Sequence, residues 1–224
     1  MKQPLEAFSG YAPVFPLPSL TLFPDTQAVY HIFEPRYREM LASALNGEGL
    51  IAFALLKPGY ESEYYGNPDF YEMGCLGRII SDEKLADGKA NIVVEGLIRV
   101  GFGEIIKESP FRVAKLELLP EIDREQNFTD LQHTMIQKLT YLAKISREEV
   151  NLTYLFDPDT RFTTIVNMIA KHLPLKPLEH YNLLKEDSLQ TRAKQVIWHL
   201  DDHIETMELL KKAGPLPPNP QILN

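Results

Sequence analysis

The chain has 224 residues, 44% of them hydrophobic and 24% charged, and carries a formal net charge of −8. That length can bury a sizeable core, as one large unit or two small ones, and the apolar share excludes wholesale disorder. The acidity argues against a nucleic-acid backbone or an anionic membrane surface as partner, because both select basic patches; divided at Ile122, neither half carries an excess of bases.

The first predicted elements are strands. "APVFPLPSLTLFP" (12–24) has prolines at 13, 16, 18 and 24, which suits an extended edge or an irregular opening strand. "QAVYHIF" (27–33) carries apolar residues on both sides of the pleat. In "HIFEPRYREM" (31–40) Glu34 ends a strand and Pro35 opens a helix, since proline suits a first helical turn and pushes its predecessor towards an extended conformation. Tyr37, Met40, Leu41, Ala44 and Leu45 then recur at helical spacing, and Gly47 marks the stop. Arg38, four residues from Glu34, is placed to pair with it.

"LIAFALL" (50–56) reads as a buried strand, with a core helix as the alternative that pattern alone leaves open. It is also the longest purely apolar run, at seven residues against roughly 20 for a membrane-spanning helix. "KPGYESEYYGNPDFYEMG" (57–74) is expected to be a loop, holding Tyr60, Tyr64, Tyr65, Phe70 and Tyr71 among four acids. Tyrosines give stiff amphipathic contact area, so this loop is the candidate peptide-contact surface, and its acids favour basic or mixed-charge segments. The competing reading is a loop whose aromatics cover the end of a barrel.

"LGRIIS" (76–81), "ANIVVEGLIRVGFGEII" (90–106) and "FRVAKLELL" (111–119) complete a strand-rich half, and Asp-Gly within "ADGKA" (86–90) predicts a hairpin. "GFG" (101–103) is too short for a dinucleotide loop and reads as a bulge or strand end. After residue 123 the period turns helical: 128–146, 157–173, 175–186 and a long segment at 188–212. The organisation expected is a β-rich domain over 1–122, a helical domain over 123–213 and a flexible proline-rich tail over 214–224.

Cys75 is the only cysteine, which excludes an intrachain disulfide and a cysteine zinc cluster and is expected to be a buried, inert thiol. The N-terminus lacks the apolar core of a secretory signal. A soluble cytoplasmic protein is the expectation. His199 and His203 are four apart in "HLDDH", but Leu200 stands where a zincin needs glutamate, so a solvated helix face is preferred to a metal site. No catalytic, cofactor-binding or metal residue is assigned.

Three blocks resemble one family. "VFPLPSLTLFPDTQAVYHIFEPRYREMLASAL" is similar to the opening of the N-terminal domain of Lon ATP-dependent proteases, with its "PL…LFP" strand followed by "FEPRY" (Phe33, Glu34, Pro35, Arg36 and Tyr37) and a helix. "MGCLGRIISDEKLADGKANIVVEGLIRVGFGEI" resembles the family's run of a glycine turn, a strand, "DG", a strand and "G..R". "LPLKPLEHYNLLKEDSLQTRAKQVIWHL" resembles its helical end, where a leucine pair precedes an acid and an arginine opens the last helix. The resemblance implies an α+β fold: a PUA-like pseudo-β-barrel, then an α-helical bundle with a long C-terminal helix.

In the full protease that domain recognises protein substrates, while other domains hydrolyse ATP and cleave peptide bonds. No G-x-x-x-x-G-K-[ST] occurs here; the one Gly-Lys pair, Gly88-Lys89, has Glu83 where the first glycine should stand. The implied protein is a free-standing, non-enzymatic recognition domain that binds unfolded or exposed polypeptide segments without a cofactor. It would serve a protease system as an adaptor or chaperone-like partner. RNA binding, known among PUA-like folds, is the alternative. In the resembled family this region contributes to self-association, which implies a homodimer as one option for this chain, and the apolar spacing here fits packing within one chain equally well.

Overall fold

The structure is a computed structural model that describes residue 5 and residues 8–19, 22–64, 66–123, 127–146, 157 and 159–213. The proline-rich stretch 214–224 and Tyr65 lie outside the described residues.

Among the described residues six strands and five α-helices follow in order: β1 (Tyr11–Leu17), β2 (Gln27–Ile32), α1 (Pro35–Asn46), β3 (Leu50–Leu56), β4 (Phe70–Lys84), β5 (Ala90–Lys107), β6 (Val113–Leu119), α2 (Thr129–Ser146), α3 (Phe162–His172), α4 (Pro177–Lys185) and α5 (Leu189–Ala213). The sheet runs β2-β5-β4-β3-β1-β6, and β5 pairs with β6 as well. Five strands therefore close on themselves while β2 extends the sheet along the first half of β5. The β1–β3 pairing is parallel, so α1 serves as the crossover between them by way of β2.

β3 resolves its own ambiguity. All seven residues are buried, and alternate ones feed two cores: Ile51, Phe53 and Leu55 the larger, Leu50, Ala52 and Ala54 the smaller. A helix would not sort its side chains with a period of two. Small residues recur in the second core, joined there by Ala12 and Ala114 from β1 and β6. "GFG" lies within β5, whose register with β6 shifts between Phe102 and Ile105.

β4 begins at Phe70, not near residue 76, so the expected loop over 57–74 is shorter than the sequence reading placed it. Strand pairing decides this: Met73 and Gly74 lie opposite Gly101 and Val100 of β5. Gly74 is required there, because a Cβ would collide with the backbone carbonyl of Phe53. Likewise the third helix starts at Phe162 rather than at 157, with Arg161 extended ahead of it.

The helices are fixed to the barrel by two buried arginines. Arg99 of β5, 1% exposed, donates to the carbonyls of Leu184 (3.3 Å), Lys185 (3.2 Å), Glu186 (3.1 Å) and Pro120 (3.1 Å) and to Asp187 Oδ1 (2.8 Å). A guanidinium thus satisfies the last carbonyls of α4 and meets the negative end of its dipole. Arg192 of α5, fully buried, donates to Glu121 Oε1 (2.6 Å), Asn167 Oδ1 (3.0 Å) and the Glu186 carbonyl (2.6 Å). Asp123 caps α5, accepting from Ser188 Oγ (2.8 Å) and the backbone N–H groups of Leu189 (2.7 Å) and Gln190 (3.0 Å). α3 docks on the 22–26 turn, where Asn167 donates to the Pro24 carbonyl and Arg161 pairs with Asp25 at 2.6 Å.

Candidate functional site

The connection between β3 and β4, residues 57–69, is a closed loop. The Lys57 N–H donates to the Asp69 carbonyl (2.9 Å), a 3₁₀ turn spans Tyr60–Glu63, and the Gly66 N–H donates to the Glu63 carbonyl (2.7 Å). Gly59 has φ +90, a left-handed conformation that an L side chain resists.

The start of α1 grips this loop. Pro35 occupies the first helical turn and Glu34 is extended, with φ −67 and ψ 137. Arg36 donates two short hydrogen bonds, to the Tyr64 and Gly66 carbonyls (both 2.7 Å), and one to Glu34 Oε2 (3.1 Å). The Tyr64 hydroxyl completes the ring by donating to Glu34 Oε1 (3.3 Å). The expected Arg38–Glu34 pair gives way to this arrangement: the Glu34 carboxylate goes to Arg36, and the Arg38 guanidinium lies against Gly88 of the β4–β5 turn.

Tyr37 points inward, its ring 4.6 Å from Phe15. Burial pushes its phenol up to about 12, with the Arg36 charge opposing and Glu34 adding, so it stays neutral at physiological pH. Phe33 is half exposed and stacks on His31 at 6.0 Å.

Beside the loop lies a cleft of about 420 Å³ lined by Asn67, Asp69, Phe70, Ile105, Glu108 and Arg112. Arg112 donates to the Pro68 carbonyl (2.8 Å) and covers the Phe70 ring at 4.5 Å, and burial lowers its pKa. A small separate concavity, lined in part by Arg36 and Tyr37, shares Asn67 and Arg112 with the cleft. The lining offers an aromatic wall, one fixed cation and two carboxylates, a set suited to contact with a polar chain.

The five candidate aromatics do not form one surface. Tyr60 and Tyr64 are half-buried neighbours with rings 6.2 Å apart. Phe70 forms the cleft wall, edge-on to Phe102 at 5.0 Å, whereas Tyr71, next along the strand, points the other way to Tyr181 of α4 at 4.5 Å. Tyr65 lies outside the described residues. Sequence reasoning missed Arg112, Asn67 and Glu108; the one available signal was an arginine heading the alternating strand "FRVAKLELL". His199 packs edge-on to Trp198 at 4.8 Å, and among the described residues no group of three or more His, Cys, Asp or Glu could hold a metal. Cys75 is fully buried. No helix among the described residues is long and apolar enough to cross a membrane.

Residues 11–202 match the family of the ATP-dependent protease La (LON) substrate-binding domain. Among relatives, Lon protease 2 of Syntrophobacter fumaroxidans is 26% identical over 204 residues, covering 89% of this chain and 25% of the relative, and Lon protease of Bacillus thuringiensis is 24% identical, covering 90% and 26%. The chain thus spans about a quarter of the length of the curated relatives it matches. Its fold is that of the N-terminal domain of Mycobacterium avium complex Lon protease (TM-score 0.66, 16% identity, covering 86% of this chain and 99% of that one). It also matches a Lon N-terminal domain protein from Xanthomonas campestris (TM-score 0.61, 20% identity, covering 84% and 97%). The chain belongs to the Lon substrate-binding domain family.

Proposed function

We propose that this member of the Lon substrate-binding family is a non-enzymatic module that holds exposed polypeptide segments for a protease system, as an adaptor or chaperone-like partner. The observation that carries the reading is the match over residues 11–202, which falls wholly on a substrate-binding domain. The clamped loop supports it: Tyr60 and Tyr64 offer contact area already ordered before a client arrives. Ordering in advance removes part of the entropic cost of association.

The test is fluorescence anisotropy of labelled, reduced and carboxymethylated α-lactalbumin titrated with the chain in the absence of nucleotide, against native lactalbumin. The unfolded form is expected to bind and the native form not to. Tyr60→Ala with Tyr64→Ala should weaken binding about tenfold, in keeping with buried tyrosine anchors. Equal affinity for both forms, or for neither, would overturn the reading. Unchanged binding by the tyrosine variants would remove the loop from it.

A further inference from the structure

A second concavity lies elsewhere on α1, between that helix and the β4–β5 turn. It has a volume of about 270 Å³, at the small end for ligand sites, which fits one or two side chains of an extended segment rather than a folded surface. Its floor is apolar: Leu41, Leu45, Leu85 and two alanines, with Leu41 and Ala90 buried at the edge of the core and Leu45, one turn on from Leu41, 37% exposed. Its charged lining residues are Arg38, Lys84 and Lys89, and no carboxylate lines it. That is a local inversion of charge in a chain whose formal net charge is −8.

The cations are positioned by the fold. Gly88 has φ +78, and a Cβ there would occupy the space taken by the Arg38 guanidinium, so the glycine turn seats the arginine. Asp87, outside the lining, pairs with Lys89 at 2.6 Å and holds that side chain at the turn. Lys84 ends β4 opposite Ala90, the alanine of the groove wall.

We infer that this groove receives an extended polypeptide segment in which one or two large apolar side chains are flanked by aspartate or glutamate. The inference rests on the polypeptide-binding reading above and names a second contact with its sequence preference. The apolar side chain covers Leu41, Leu45 and Leu85, and the flanking carboxylates meet Arg38, Lys84 and Lys89. A nucleic-acid strand would match the cations but leave the leucine floor without a partner, and it would approach a chain of the same sign. The aromatic loop, with its acids, favours the opposite charge, so the two surfaces together would select segments of mixed charge.

The experiment titrates the full chain into a labelled twelve-residue peptide carrying a leucine pair among aspartates. A lysine counterpart, a twelve-nucleotide single-stranded RNA and the unfolded lactalbumin are measured in parallel. The acidic peptide should bind at least tenfold more tightly than the lysine peptide. Lys84→Glu with Lys89→Glu should weaken it at least tenfold, as should Ala42→Phe, which fills the groove from an exposed helix position. Both variants should keep the parent's circular dichroism. Acidic-peptide binding that the variants do not change would overturn the groove assignment. Lactalbumin binding without acidic-peptide binding would overturn the groove and spare the polypeptide reading, whereas binding of neither would sink both. Competition by the RNA, or a mass by light scattering that the groove variants change, would assign the groove to nucleic acid or to a second copy instead.

Discussion

Two arginine centres of this molecule use the same chemistry at different depths. Arg99 gathers carbonyls from the end of α4 and the segment after β6, and Arg36 gathers carbonyls from the loop at 64–66. Arg99 is 1% exposed and its neighbour Arg192 is fully buried, whereas the Arg36 side chain is 18% exposed. In the deep centre every lost contact strands a charge or a carbonyl away from water; at the rim, water replaces what the arginine releases. Depth therefore makes one centre a lock between barrel and helices and the other a releasable grip on a candidate contact loop. The deep centre is not fully satisfied: the Nε atoms of Arg99 and Arg192 are buried without a hydrogen-bond partner among the described residues. Its role is to set the geometry of the assembly more than to add net energy.

The sharpest way to break the comparison is Arg192→Met. It leaves the Glu121 carboxylate, 7% exposed, without its cation, and should lower the unfolding free energy by about 3–5 kcal/mol in urea titrations. A loss near zero would mean that the deep centre behaves like a surface pair. Next is Arg99→Lys, because an ammonium cannot span the Pro120 carbonyl and those of residues 184–186 together; about 2 kcal/mol should be lost in the same assay.

Asp123→Ala removes the cap of α5 and should cost about 1 kcal/mol at pH 7. Burial raises the pKa of Asp123, but hydrogen bonds from Gln190, Ser188 and Leu189 outweigh it and hold the carboxyl below the ordinary carboxylate value. A depressed folded-state pKa means that the contribution is whole above about pH 4 and fades as pH falls through the lowered value. Parent and variant should therefore converge in stability on the acid side of pH 4, measured by chemical denaturation across that range. The smallest effect belongs to the rim. Arg36→Ala should change global stability by about 1 kcal/mol or less, yet speed amide exchange across residues 60–66 while β4 and β5 keep their protection. Equal protection in parent and variant would show that the loop holds itself closed without the grip.

Much of the fold was legible along the chain because it rests on local rules. Pro35 and the spacing after it fixed the start and face of α1, and Asp-Gly at 87–88 fixed a hairpin. The three quoted blocks named the family. The extent of β4 was not legible, since "DFYEMG" has loop composition and becomes strand only by pairing with β5. The candidate site was half legible: the aromatics stood out, but whether they share a face depends on the pleat, which sends Phe70 and Tyr71 to opposite sides.

What the sequence determined by itself is the list of elements, the helix-start motif and the family, because each depends on residues within a turn or two of one another. Only the tertiary structure decided that Glu34 pairs with Arg36 rather than Arg38, that Arg99 and Arg192 meet at one carbonyl, and that three cations surround a leucine floor. The arginine centre depends on which long side chains chain closure brings within about 3 Å, and a contact such as that of Arg99 with the Glu186 carbonyl, 87 residues apart, has no local signature to read.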